Sequence, residues 1–266
     1  MKYNLFQLGF RYLKYLIFSK NGRGHGIHSP FVYRFVREVL MDRNQYSVYI
    51  NAESYRKRLL KNFDNIEVVD LGAGGKDNSI KQKQISNIAK SALKSPKYSK
   101  LLYRFASTYN YKNIVELGTS LGVTTCYLAQ SPHLESIITL EGAPQIAAFA
   151  SQQFNLMKLQ NVKVVTGNFD DTLSDILKSN SNIDLVYIDG NHQKEPTLNY
   201  FNQVLKYCNL NTCLIFDDIH WSCEMEEVWE EIKKDKRVNL TIDVFFLGFV
   251  FIKDEFKAKQ NFTIRF

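Results

Sequence analysis

Residues 114–128 read Ile114-Val-Glu-Leu-Gly-Thr-Ser-Leu-Gly-Val-Thr-Thr-Cys-Tyr-Leu128. A β-branched and apolar run ends at Gly118, and a second glycine follows at Gly122. A helical pattern then starts at once, with Val123, Tyr127 and Leu128 as its apolar face. A strand that turns through glycines into a helix presents backbone N–H groups to a ligand. Glu141 ends the next extended run, 19 residues after Gly122. An acid at that distance is placed to hold the two hydroxyls of a ribose.

The glycine spacing narrows the ligand. Gly-x-x-x-Gly is not the Gly-x-Gly-x-x-Gly that lets a pyrophosphate rest on the backbone, so a dinucleotide and NAD-linked oxidoreduction are disfavoured. Nor is it the Gly-x4-Gly-Lys-Ser/Thr of a phosphate-cradling loop. A ribose acid without a phosphate clamp suits a nucleoside ligand that carries no phosphate, of which S-adenosylmethionine is the common one. The plain alternative is an ordinary strand-to-helix turn.

Outward from this turn the chain alternates. The runs Asn113–Leu117, Ser136–Leu140, Val162–Thr166, Asp184–Ile188 and Thr212–Phe216 are separated by stretches long enough for one crossover helix each. That is the pattern of βαβ units and a parallel sheet. A helix is predicted from Glu224 to about Lys234, acidic at its start and basic at its end. Val238–Phe246 and Phe249–Lys253, with Gly248 before the second run, predict an antiparallel hairpin at one edge. The expected class is therefore α/β, a Rossmann-like sheet of seven strands with a helical N-terminal extension.

Residues 1–99 are expected to form a mostly helical basic region, and 100–266 the ligand-binding domain. Residues 3–18 repeat apolar side chains around most of a helix surface, leaving Gln7, Arg11 and Lys14 as a narrow polar stripe. Ser29-Pro30 supplies a cap and a first-turn proline for a helix to about Met41. Lys81–Leu93 and Ser99–Tyr109 predict two more helices around Pro96. A second glycine-rich stretch, Asp70–Gly75, resembles the first turn but lacks a buried helix after it and an acid-ended strand, so it is expected to be a surface turn or part of a lid.

Of 266 residues, 45% are hydrophobic and 14% aromatic, enough for one sizeable core, and the net charge is +7. That total hides a division. Residues 1–110 hold 20 Lys/Arg against 7 Asp/Glu, whereas residues 111–266 hold 14 against 20. The four cysteines form no Cys-x-x-Cys pair and no zinc-finger spacing, and no apolar run reaches membrane-spanning length. Reduced thiols and a cytoplasmic location are the expectation.

Four motifs then occur in order: Val115–Thr125, Thr139-Leu-Glu-Gly142, Asp184–His192 with Asp189-Gly-Asn-His192 at its end, and Ile215-Phe-Asp-Asp-Ile-His-Trp221. Together they resemble the strand-end motifs of class I S-adenosylmethionine-dependent methyltransferases, most of all the small-molecule O-methyltransferase branch. The catalytic-domain resemblance covers about residues 100–253. The whole chain, including Gly-His-Gly-Ile-His-Ser-Pro-Phe31, is similar to uncharacterised methyltransferases of Bacteroidetes bacteria.

The resemblance implies that Glu116, Gly118, Thr119, Ser120 and Gly122 surround the methionine end of the cofactor. It implies that Glu141 holds the ribose and that Asn168, Phe169 and Asp170 lie near the adenine, with Asp189 also at the cofactor. Metal-dependent members hold a divalent ion on an acid after strand four and a pair after strand five, here Asp189, Asp217 and Asp218. Mg²⁺ or Ca²⁺ would suit these oxygen ligands and would lower the pKa of an acceptor hydroxyl. The alternative is that Asp217 and Asp218 cap the next helix. His192 or His220 could accept the proton, and His25 or His28 could reach the site.

Rival functions remain. The basic N-terminal region could track RNA phosphates. A base-amino methyltransferase is disfavoured because Asp189-Gly-Asn-His stands where an Asn/Asp-Pro-Pro-aromatic loop is required. Residues 3–18 could instead touch an anionic membrane, pack in a homodimer, or cover the site. The acceptor expected by resemblance is a small molecule, whose identity the motifs do not carry.

Overall fold

Apolar runs bounded by glycine and polar turns form the strands, and the stretches between them coil into helices that cover the sheet. The computed structural model describes all residues except Met1, Asn21, Arg23, His25, Gly26, residues 70–79, Cys208, Asp254 and Lys257. The expectations for Asp70–Gly75 and for His25 therefore lie outside the described residues. The chain divides into two compact units, residues 1–42 with 180–266, and residues 43–179.

The unit of residues 43–179 begins with α3 (Ser47–Leu60), numbered after the two helices α1 (Leu5–Phe18) and α2 (Pro30–Phe35) of the other unit. It continues with β1 (Asn65–Val69), β2 (Ile80–Gln84), α4 (Ile85–Ala92) and α5 (Pro96–Thr108). Then come β3 (Asn113–Leu117), α6 (Val123–Ala129), β4 (Ser136–Glu141), α7 (Pro144–Leu156), β5 (Val162–Thr166) and α8 (Phe169–Ser179). Strands β3, β4 and β5 are parallel neighbours, with Glu116 opposite Thr139 and Glu141 opposite Thr166. Strands β1 and β2 pair antiparallel as a separate ribbon.

The predicted helix over Lys81–Leu93 is thus shorter, and starts at Ile85. The Ile85 N–H donates to the Asp64 carbonyl and the Ser86 N–H to that of Asn62, so the first helical turn is tied to the chain that leaves α3. Residues 80–84 are meanwhile held in the ladder with β1. The core of this unit joins Tyr49, Tyr55 and Leu59 of α3 to Ile88 of α4, Tyr103 of α5, Cys126 and Tyr127 of α6, and Ile146 of α7.

In the other unit, α2 runs on as a π-helical turn over Val36–Leu40. The Ser29 hydroxyl accepts the Val32 N–H and Pro30 fills the first helical position, as the dipeptide predicts. Its later elements are β6 (Leu185–Ile188), α9 (Lys194–Tyr207), β7 (Cys213–Asp217), α10 (Cys223–Lys234), β8 (Leu240–Asp243), β9 (Leu247–Phe251) and β10 (Gln260–Thr263). Their order is β10-β8-β9-β7-β6, with β7 parallel to β6 and antiparallel to β9.

The predicted hairpin is present as β8 and β9. The α/β class and mostly parallel strands hold, with eight such strands among the described residues where seven were expected. The eighth, β10, adds parallel to β8, where Thr241 donates its hydroxyl to the Asn261 side-chain carbonyl at 2.7 Å. Gln260–Thr263 is short and three of its four residues are polar, which is why its alternation carries no signal. No disulfide joins Cys126, Cys213 or Cys223. Among the described residues no helix is long and apolar enough to cross a membrane.

Candidate functional site

The turn after β3 is built of unusual backbone. Gly118 lies at φ +103°, Ser120 at +47° and Gly122 at +75°. A Cβ on Gly122 would fall 2.4 Å from Cζ of the buried Phe154, so both the dihedral and the packing require glycine there. The Gly118 and Thr119 N–H groups both donate to the Leu140 carbonyl, and the Gly122 N–H closes the turn on Thr119. Gly122 then stands at the N-terminus of α6.

Glu141 clamps this turn. Its Oε2 accepts the Ser120 N–H at 2.8 Å and its Oε1 accepts the Ala143 N–H at 3.0 Å. Burial raises the Glu141 carboxyl above its ordinary value, and the backbone N–H groups of Ala143, Ser120 and Gly142 offset only part of that rise. A carboxylate has about four acceptor positions, so capacity remains for a ligand hydroxyl.

Glu116, expected at the methionine end of the cofactor, lies beneath this turn. It is fully buried, and its Oε2 accepts the hydroxyls of Thr125 at 2.5 Å and Thr139 at 2.7 Å. Thr119 shares a hydroxyl contact of 2.7 Å with Thr139. Glu116 is thus the hub that ties β3, β4 and α6 together beneath the turn.

At the end of β5, Gly167 takes φ +147° and its N–H donates to the Glu141 carbonyl. Asn168 caps α8: its side-chain oxygen accepts the Asp170 N–H at 3.2 Å, and its carbonyl accepts the Thr172 N–H and hydroxyl. Phe169 is half-buried, and Asn168 and Asp170 are exposed.

One residue absent from the sequence reading belongs here. The Tyr55 hydroxyl, on α3, donates to the Leu121 carbonyl inside the turn at 2.6 Å. Glu53 of the same helix accepts the Tyr127 hydroxyl at 2.8 Å and pairs with Arg56. A tyrosine in a basic helical stretch gives no sign of such a brace.

The second group of candidates lies in the unit with residues 180–266. Asp189 follows β6; its Oδ2 accepts the Tyr187 hydroxyl at 2.8 Å, and its Oδ1 stands 3.6 Å from His192 Nε2. Asn191 and His192 lie at φ +67° and +41°, and Asp218 at +52°. Such left-handed non-glycine residues are costly and cluster at functional sites.

Asp217 ends β7 and is buried, while Asp218 lies beyond the strand with its N–H on the Phe246 carbonyl at 2.7 Å. Among the described residues no three His, Cys, Asp or Glu side chains form a group fit to hold a metal ion. The expected set of Asp189, Asp217 and Asp218 for Mg²⁺ or Ca²⁺ is therefore not formed.

His220 is not a free base. Its Nε2 is 2.9 Å from Asp243 Oδ2 and its Nδ1 is 3.2 Å from Glu226 Oε1, and its ring stacks on Phe245. Burial alone would lower its pKa, but the bonds to Asp243 and Glu226 outweigh that and raise it to about 9. Both ring nitrogens are then donors in an imidazolium at neutral pH.

Residues 115–219 match the family described as a methyltransferase domain. This stretch resembles a methyltransferase domain. A catechol O-methyltransferase of Niastella koreensis is 31% identical over 128 residues, 47% of this chain and 57% of that protein. An uncharacterised protein of Acanthamoeba polyphaga mimivirus is 28% identical over 51% of this chain and 66% of its own length. The chain thus spans less than two thirds of both curated relatives.

Solved structures agree on the fold. A methyltransferase of Podospora anserina with S-adenosylhomocysteine bound superposes at a TM-score of 0.58, with 14% identity over 96% of this chain and 98% of that one. An O-methyltransferase of Bacillus cereus, also solved with S-adenosylhomocysteine, gives 0.55 at 21% identity over 83% and 97%. The expected Rossmann-like methyltransferase fold is the one observed.

Proposed function

We propose that this chain is an S-adenosylmethionine-dependent O-methyltransferase acting on a hydroxyl group of a small molecule. The observation that carries this reading is the clamp of Glu141 on the Gly118–Gly122 turn. It supplies a ribose-binding acid and a glycine turn without a phosphate cradle. The match to a methyltransferase domain and the catechol O-methyltransferase relative support the same reading.

Gly118, Thr119, Ser120 and Gly122 would form the wall against the methionine end, with Glu116 holding that wall from beneath. Asn168, Phe169 and Asp170 at the start of α8 would border the adenine, where a half-buried aromatic offers a planar face. When bound, the cofactor would supply an electrophilic methyl group on a sulfonium centre. The residues of this chain would hold it, orient the acceptor and take up the hydroxyl proton.

For the proton we assign His192. Asp189 stands 3.6 Å from its Nε2 and stabilises the imidazolium that forms, and the Tyr187 hydroxyl fixes the carboxylate. His220 is left out of this role because both of its nitrogens already face carboxylates. In this reading a side chain takes up the proton of the acceptor hydroxyl.

The test is transfer of a radiolabelled methyl group from S-adenosylmethionine to a panel of catechols, phenols, sugars and carboxylates. Label on a hydroxyl oxygen supports the reading. Label only on nitrogen, on carbon or on added RNA contradicts it.

A further inference from the structure

Helix α1 is fastened to its own unit along one face and at both ends. Lys2 bridges to Ser222 and Lys20 to Ile264 through backbone pairs. Between them, Arg11 pairs with Glu226 at 2.9 Å, the Tyr15 hydroxyl donates to the Ile264 carbonyl, and the rings of Tyr12 and Tyr15 pack on Phe245. Asn4 and Gln7 form a reciprocal capping box that fixes the first turn.

The opposite face is apolar and exposed. Phe6, Phe10, Leu13 and Ile17 recur at steps of four, three and four along it, and Phe6 is 92% exposed. With Leu5 and Phe18, this one helix carries six of the eleven large apolar side chains exposed among the described residues. Apolar groups gathered so densely mark a contact surface, whereas scattered ones do not. Gly9, beside the stripe, has open space around it.

Charge decides what covers this face. Residues 1–37 contain seven Lys/Arg and no Asp or Glu. Arg11 is matched by Glu226, but Lys14 and Lys20 are exposed. By helical spacing Lys14 stands at the rim of the apolar stripe. Pairing with a second copy of the same segment would set cations against cations with no carboxylate in either strand of chain. A bilayer with anionic headgroups offers an apolar interior for the phenylalanines and negative charge for the lysines.

We propose that α1 is a membrane-contact surface that lies flat in the interface of an anionic bilayer. At 14 residues it is about 21 Å long, too short to span a hydrocarbon core of about 30 Å. An amphipathic helix with phenylalanines inward and lysines at the rim is the form that lies in the plane. Because α1 is fastened at both ends, the contact would hold the whole unit at the membrane surface.

The experiment is flotation of the full chain with phosphatidylcholine vesicles and with phosphatidylcholine/phosphatidylglycerol vesicles, at low and high salt. The double variant Phe6→Glu/Phe10→Glu runs alongside, with circular dichroism as a check on folding and sedimentation velocity for self-association. The wild-type chain is expected to float with the anionic vesicles, roughly tenfold more than with the neutral ones, and to release in high salt. The folded double variant is expected to stay at the bottom. Flotation of the double variant equal to wild type overturns the proposal, as does the absence of wild-type flotation on anionic vesicles. A wild-type dimer that the double variant abolishes, without vesicle binding, assigns the face to self-association and overturns it too. If the double variant does not fold, Leu13→Gln alone replaces it.

Discussion

Glu141 Oε2 accepts the backbone N–H of Ser120 at 2.8 Å, so the acid that ends β4 holds the turn that follows β3. The second oxygen holds Ala143 at 3.0 Å. One carboxylate therefore shapes the turn and, in the proposed function, faces the ribose. A glutamine side chain in its place keeps the size but brings an NH₂ group against a backbone N–H. Glu141→Gln is expected to weaken S-adenosylhomocysteine binding by about 10- to 100-fold, the worth of one or two hydrogen bonds to a charged group. Isothermal titration checks this; unchanged affinity in a folded variant would remove Glu141 from the site.

Gly122 is the most constrained position of the turn. An added Cβ meets Phe154 Cζ at 2.4 Å in a left-handed backbone. Gly122→Ala is expected to cost about 1–3 kcal/mol of stability, from the dihedral and the overlap together. Denaturant melts should show partial recovery when Phe154→Leu is added, because the overlap is relieved while the dihedral strain stays. Two additive losses would show that the contact is not the source.

The pair His220–Glu226 gives stability a pH signature. His220 is raised to about 9, so its contribution is complete below its ordinary value near 6.5 and is lost as pH climbs through about 9. Glu226 is pulled the other way. Burial would raise it, but the bonds from His220, Tyr3 and Arg11 win and hold it at about 2. Its contribution is complete above about 4.5 and is lost as pH falls toward about 2. Melting temperatures should therefore be highest between about pH 4.5 and 6.5 and fall toward about pH 9. A His220→Gln variant should lack most of the alkaline decline; an identical slope in both proteins would contradict the assignment.

The two histidines should separate kinetically once an acceptor is known. His192→Gln is expected to lower kcat by about 10²- to 10⁴-fold while leaving S-adenosylhomocysteine affinity unchanged, the pattern of a lost proton acceptor. His220→Gln should lower melting temperature with little change in kcat, because it holds Asp243 and Glu226. The reverse pattern would exchange their roles.

What was legible in the sequence was local. Gly118, Gly122 and Glu141 announce themselves because a tight turn, a helix start and an acid in register each leave a mark in residue type. The five parallel runs and the β8–β9 hairpin do the same through alternation. What was illegible depends on long-range partners. β10 is a strand because β8 offers an open edge, and Ile85 starts a helix because Asn62 and Asp64 take its first N–H groups. His220 looks like any strand-end histidine until Asp243 and Glu226, 23 and six residues away, are seen against its ring. The three aspartates mislead for the same reason, since Asp217 and Asp218 adjoin in sequence but only one of them is buried.

The proposed function requires the Glu141-clamped turn to bind a phosphate-free nucleoside carrying a methyl sulfonium. Its most direct test is thermal shift of the full chain with S-adenosylmethionine, S-adenosylhomocysteine, NAD and ATP, compared between wild type and Glu141→Gln. At about one hundred times Kd, about 2.7 kcal/mol of stabilisation follows from binding alone. The account predicts a saturable rise in melting temperature with the first two ligands, weakened in the variant, and none with NAD or ATP. A rise with NAD alone, or no rise with either sulfur ligand, would contradict it.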